Sequence, residues 1–264
     1  MREYLCLPDW RRWLERARSR DDLPWSPLRD ARPAAPIPRP GQLILSGANT
    51  FSHLAEASRL IGTIAPPKRP MVLAKAVSAI SGPFDDIVMP PETSKLDFEV
   101  EIGAVIGRAC RRQPPERIRD FIAGYMVVND IAARDVQMAE DEPAPMYRTH
   151  LVGKSYDTFA PTGPWITPLD LLASDRPLGM RTFVNGELRQ DGDTSDLVHG
   201  IDDVVAYLSS AMTLQPSDIV TSGTPAGVAM FGNPPRYLQA GDVVACEVDG
   251  LGRIENRVRQ ETTS

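Results

Sequence analysis

Apolar and polar residues alternate most regularly over Asp97–Arg108 (DFEVEIGAVIGR), where Phe98, Val100, Ile102, Ala104 and Ile106 share one face at the period of a β-strand. Shorter apolar runs predict strands at Leu43–Leu45, Met71–Val77, Tyr125–Asn129, Gly179–Val184, Asp218–Ser222, Asp242–Val248 and Arg253–Val258. The pair Asn185-Gly186 tolerates positive φ at both positions and predicts a two-residue hairpin turn. Helical periodicity is confined to fewer places. Phe51–Leu60 follows a cap at Asn49 or Thr50. Ile201–Met212 sets Ile201, Val204, Val205, Leu208 and Met212 on one face, with Asp202 and Asp203 in the first turn. Residues 9–20 read as a further helix capped by Asp9. Many strands, few helices and no β–α alternation predict an α+β, mostly-β fold and argue against a doubly wound sheet.

Composition narrows the classes. The chain has 264 residues, 42% of them hydrophobic and 24% charged, enough for one sizeable core and too apolar for wholesale disorder. A net charge of −6 argues against a nucleic-acid binder. No apolar run approaches the length of a membrane span, and the opening MREYLCLPDWRRW carries no apolar signal core, so a cytoplasmic protein is expected. Cys6, Cys110 and Cys246, odd in number and far apart, fit a reducing compartment. Pro24–Pro40 holds six prolines in seventeen residues and is incompatible with a helix interior or a central strand. It divides the chain into an N-terminal segment with an extended connector (1–40) and a main domain (41–264).

Within that domain, Glu99 and Glu101 lie two apart in the best strand and point to the same face. They form either its wet side or a pair of oxygen ligands for a hard cation. Asp130 ends the apolar run YMVVN, as a helix cap or a third ligand. Three carboxylates with no cysteine or histidine cluster nearby would select magnesium or manganese over zinc. His53 and Glu56 are three apart on one helical face, as a surface ion pair or as a dyad in which the carboxylate fixes the imidazole tautomer for water activation. Arg134, Asp135, Gln137 and Lys154 follow Asp130, and the arginine and lysine suit a substrate carboxylate or a developing enolate. His150 and His199 read as structural or surface residues. Ser222–Gly227 (SGTPAG) reads as a tight turn whose N–H groups suit a carboxylate. Serine-hydrolase elbows, Walker loops and dinucleotide fingerprints are absent.

The order of the motifs is more specific than any one of them. GANTFSHLAE (47–56), PMVLAKAVSAISGPFDDIVMPP (70–91), LDFEVEIGAVIG (96–107), GYMVVNDIAARDVQ (124–137), GKSYDTFAPTGPW (153–165), VNGELRQDG (184–192) and SGTPAGV (222–228) together resemble the fumarylacetoacetate hydrolase family over roughly residues 41–260. The resemblance implies a mixed β-sandwich or roll, a homodimer, and a magnesium or manganese centre. Motif by motif, it makes Glu99, Glu101 and Asp130 the metal ligands and His53 with Glu56 the water-activating dyad. It makes Lys154 the catalytic lysine, and Arg134, Gln137 and Thr224 substrate contacts. Thr50 stands where many members carry tyrosine, so contacts near His53 are expected to differ. The implied reaction is hydrolysis of a C–C bond in an acylpyruvate or related 2,4-diketo acid. Decarboxylation, isomerisation or tautomerisation of a 2-oxo or 2-hydroxy-enoic acid such as oxaloacetate or 2-hydroxyhepta-2,4-dienedioate is the alternative, and a non-catalytic small-acid-binding protein is the alternative of another class.

Overall fold

The computed structural model describes residues 31–144, 147–172 and 176–262, with isolated positions before residue 31. The helix expected over 9–20 and the first part of the proline-rich stretch lie largely outside the described residues. Strands dominate, as the patterning predicts. In chain order they are β1 (Leu43–Gly47), β2 (Met71–Lys75), β3 (Ile80–Ser81), β4 (Ile87–Met89), β5 (Leu96–Asp97), β6 (Val100–Ile106), β7 (Ile122–Asn129), β8 (Ala132–Ala133), β9 (Ala160–Thr167), β10 (Gly179–Val184), β11 (Glu187–Asp193), β12 (Ile219–Thr221), β13 (Val243–Val248) and β14 (Gly252–Gln260). The helices that bear on the site are α1 (Phe51–Ile61), α2 (Arg134–Met138), α3 (His150–Gly153) and α4 (Ile201–Ala211).

A seven-stranded mixed sheet runs β2-β1-β12-β6-β7-β9-β3, a five-stranded sheet runs β11-β10-β13-β14-β4, and β5 pairs with β8. The two larger sheets share a core. Val100, Ile102, Ala104 and Ile106 of β6 meet Met180 of β10, Cys246 and Val248 of β13, Ile254 of β14 and Val204, Val205 and Leu208 of α4. The other face of the large sheet sends Val105, Met126 and Val128 into a second core with Leu43, Leu45 and Ile219. All seven residues of β6 are buried, so the wet face that alternation allows is absent: its odd positions face protein too. Parts of sheets covered on both faces hide their polar side chains together with their apolar ones.

Side chains explain where the central strand differs from its sequence signal. The Asp97 carboxylate accepts from Phe98 N (2.8 Å), Asn129 Oδ1 from Glu99 N (3.1 Å) and Gln190 Oε1 from Val100 N (3.1 Å). These acceptors replace ladder partners, so β6 starts at Val100 and the preceding residues pair separately as β5. The Asn185-Gly186 turn is present, with φ of 52° and 81°, and it closes the β10–β11 hairpin. Its return strand, ELRQDGD, has too few apolar residues to signal itself. Neither does β9 (APTGPWIT), whose prolines are tolerated beside an edge: its neighbour β3 pairs with it only at Ala160 and Pro161. Within the connector, Ile37 is 1% exposed and joins the second core, so the end of the proline-rich stretch is anchored to the body.

Candidate active site

Glu99 immediately precedes β6, Glu101 is the second residue of that strand, and Asp130 follows the last residue of its neighbour β7. Asp130 N donates to Glu99 O at 2.8 Å, which ties the two strand ends together. Ligand atoms of the three carboxylates lie within 4.8 Å of one another, and all three residues are buried. Charges so close in a dry setting need compensation. Arg134 Nη2 donates to Glu99 at 2.5 Å, Lys154 Nζ to Glu99 at 2.7 Å and also to Asp130, and Lys75 Nζ to Asp130 at 2.5 Å. Burial favours a protonated Glu99, but Lys154, Arg134 and His53 override it and hold the group well below the usual carboxylate range. Burial pulls Lys75 down to about 8 against the attraction of Asp130.

Glu101 is treated differently. It accepts from Gly223 N at 3.2 Å and has no ion pair among the described residues. Burial, with Asp130 and Glu99 beside it, pushes its carboxyl well above the usual range. Counting Asp97, four buried carboxylates meet three buried cations, and the unmatched negative charge falls on Glu101. The donor set therefore fits a hard divalent cation: all oxygen, clustered, and one charge short.

Arg134 is committed to the protein. Its Nε donates to Asp97 (2.8 Å), its Nη1 to Gln137 Oε1 (3.0 Å) and its Nη2 to Glu99. Asp97 also accepts from Ala229 N and Met230 N, at 2.7 and 3.1 Å. Lys154 arrives through close packing of α3 on α2. A Cβ on Gly153 would lie 2.5 Å from Cα and Cβ of Gln137, so only glycine permits this approach.

His53 lies on α1, whose N-cap is Thr50. Thr50 Oγ1 accepts from His53 N (3.2 Å) and donates to Thr224 O (2.8 Å). Thr50 is fully buried, so the residue at the usual tyrosine position acts here as a cap and a tie. His53 Nδ1 lies 2.7 Å from Glu56 Oε1, and the other Glu56 oxygen accepts from Gly227 N at 2.8 Å. Nδ1–H is thus the donor, and Nε2 is left as the acceptor. The 222–227 turn does bind carboxylates through its N–H groups, and they are the protein's own: Glu101 and Glu56. Gly227, at φ 107°, would place a Cβ 2.1 Å from Arg189 O, so that turn requires glycine.

A cavity of about 340 Å³ opens over these groups and is lined by His53, Glu99, Glu101, Asp130, Arg134, Gln137, Lys154 and Thr224. Glu56 sits behind His53. Asp135 turns away, to Thr93 and Ser94. His199 contacts Pro67 O, a structural position as expected. His150 contacts Gln137 and also lines the cavity, with Arg148. Lys75 was also unforeseen. Its only sequence signal is a lysine closing the apolar strand MVLAK.

Comparison with known proteins identifies the family. The family profile described as fumarylacetoacetate (FAA) hydrolase C-terminal matches residues 42–259. A mitochondrial oxaloacetate tautomerase of Rattus norvegicus is 37% identical over 236 residues, 89% of this chain and 72% of the relative. A probable 2-hydroxyhepta-2,4-diene-1,7-dioate isomerase from Mycobacterium abscessus superposes with a TM-score of 0.82 at 34% identity, covering 99% of this chain and 89% of that one. A maleylpyruvate hydrolase from a Sphingobium species, solved with manganese(II) and pyruvate, gives 0.69 at 31%, covering 87% and 74%. The chain belongs to the fumarylacetoacetate hydrolase family.

Proposed function

We propose that this member of the family is a metal-dependent enzyme that enolises a 2-oxo acid, as a tautomerase or isomerase, with Glu99, Glu101 and Asp130 holding magnesium or manganese. The observation that carries the reading is the His53–Glu56 pair at 2.7 Å, with the imidazole lining the cavity that the three carboxylates line. Bound there, a divalent cation supplies Lewis acidity to a chelating 2-oxo acid. His53 Nε2 takes a proton from the carbon next to the ketone, and Glu56 steadies the imidazolium that forms. The proton then moves to the substrate oxygen, which balances the keto-to-enol conversion. Lys154 spends two donors on Glu99 and Asp130 and keeps a third for the oxygen that gains charge. Arg134 and Gln137 orient the carboxylates and the cavity wall. Support from relatives comes from the tautomerase and the isomerase named above.

The same dyad suits a second reaction, C–C hydrolysis of an acylpyruvate, in which His53 takes its proton from water. The manganese-bound relative that hydrolyses maleylpyruvate favours keeping it. A panel of oxaloacetate, 2-hydroxyhepta-2,4-dienedioate and simple acylpyruvates, with magnesium or manganese, separates them. Spectral change without cleavage marks the tautomerase or isomerase, pyruvate plus a second acid marks the hydrolase, and carbon dioxide marks a decarboxylase. His53→Ala is expected to lower the active reaction about 10²–10⁴-fold while leaving metal affinity unchanged. A His53→Ala enzyme near the wild-type rate removes His53 as the base. Sedimentation tests the homodimer that goes with this reading.

A further inference from the structure

The two imidazoles of the cavity are held in opposite tautomers by their partners. His53 gives its Nδ1–H to Glu56 and leaves Nε2 as an acceptor. His150 Nδ1 lies 2.9 Å from Gln137 Nε2. The orientation of that amide follows from its other end, because Gln137 Oε1 accepts from Arg134 Nη1 at 3.0 Å and a guanidinium only donates. Gln137 Nε2 is therefore a donor, His150 Nδ1 an acceptor, and the single ring proton of a neutral His150 sits on Nε2. No partner for His150 Nε2 occurs among the described residues, and the side chain lines the cavity. Burial, with Lys154, Arg148 and Arg134 around it, disfavours the charged ring. Arg148 lines the same cavity and pairs with no carboxylate among the described residues. Arg134 and Lys154, by contrast, already serve acidic groups of the protein.

We propose that His150 is a specificity-determining residue whose neutral Nε2–H, beside the Arg148 guanidinium, receives a second anionic oxygen group on the substrate, at the end remote from the 2-oxo acid unit. The assignment rests on the site reading above for the location of that unit. A neutral imidazole held as an N–H donor is a known way to stabilise an anionic oxygen without yielding a proton to it. The carboxylate cluster meets one end of the substrate, and His150 with Arg148 meets the other.

Two matched ligands test this on manganese-loaded full-length protein. 2-Oxoglutarate and 2-oxopentanoate share a five-carbon chain and differ in the terminal carboxylate. Calorimetry is expected to show 2-oxoglutarate favoured in the wild type by on the order of tenfold to a hundredfold, the range of a hydrogen bond to a charged group. In His150→Phe that preference should collapse, with 2-oxopentanoate affinity and manganese affinity within about twofold of wild type, and His150→Gln should restore part of it because an amide can donate. No preference in the wild type, or an equal loss for both acids in His150→Phe, overturns the proposal. A long-range ¹⁵N–¹H spectrum reads the tautomers without ligand: His150 must carry its proton on Nε2 and His53 on Nδ1, and a proton on His150 Nδ1 overturns it as well. If wild type binds neither acid, the site reading is what fails, and the spectrum still decides the donor assignment.

Discussion

Among the described residues, Glu101 is the one carboxylate of the cluster without an ion pair, and burial first, then Asp130 and Glu99, raise its affinity for a proton. A metal and a proton compete for the same oxygens. Glu101→Gln is therefore expected to weaken magnesium or manganese binding by more than the ~10–100-fold that follows loss of a supporting partner. The metal-free variant should be at least as stable as wild type, because the amide removes repulsion with Glu99 and Asp130. Titration calorimetry and thermal denaturation check the two halves, and unchanged metal affinity takes Glu101 out of the ligand set. His150 gives a pH dependence of definite sign. Its folded pKa lies below the usual 6.5, from burial first and then from Lys154, Arg148 and Arg134, with Glu99 opposing. The stability it contributes is present above 6.5 and is lost as pH falls, because the unfolded ring takes up a proton before the folded one does. The difference in urea midpoint between wild type and His150→Phe should shift against the wild type from pH 8 to pH 5; a constant difference contradicts the shift. At this scale the legible residues were those that interrupt a pattern: two glutamates in a strand, an aspartate at a strand end, a His–Glu pair at helix spacing. Lys75 and His150 were illegible because their partners are remote in the chain, Asp130 for one and Gln137 for the other.

The elements deliver these groups through a few close contacts. Gly153 lets α3 lie against the Gln137 backbone, and with it come Lys154 and His150. Gly153→Ala must separate α3 from α2 by a fraction of a methyl diameter. The expected cost is about 1–3 kcal/mol of stability, the range for overpacking a tight contact. Activity should fall further than folding does, because Lys154 would move relative to Glu99 and Asp130. A variant with wild-type melting temperature and turnover would show that the α2–α3 contact is not what sets the lysine. The strands on either side of the site were legible because their buried faces are apolar. Their ends were not, since side-chain acceptors at Asp97, Asn129 and Gln190 take over from the ladder there, and alternation cannot register a bond to a side chain thirty or ninety residues away. Strand β9 and the return strand β11 escaped for the opposite reason: neighbours pair them although their composition does not ask for it.

Across the whole molecule, the stretch from residue 31 to residue 40 is tied to the two sheets and their cores. Arg32 Nη2 reaches Phe84 O at 3.1 Å, and Ile37 is packed with Leu43, Leu45 and Ala79. Among the described residues 31–40 there is neither helix nor strand, as six prolines in seventeen residues dictate, yet the segment is held by its one large apolar side chain. Proline removes donors and fixes φ, but it does not prevent a neighbouring isoleucine from filling a core site. Deletion of residues 1–30 is therefore expected to leave a folded protein with wild-type metal affinity. Ile37→Ala in the full chain should cost about 2–5 kcal/mol, the range for emptying a buried aliphatic site. Urea denaturation of the two proteins distinguishes the roles. If the truncated chain is insoluble while Ile37→Ala is silent, the anchor lies in the first thirty residues, and the boundary drawn at residue 40 has to move toward the N-terminus. If both are destabilised, the N-terminal segment and the connector fold with the body as one unit.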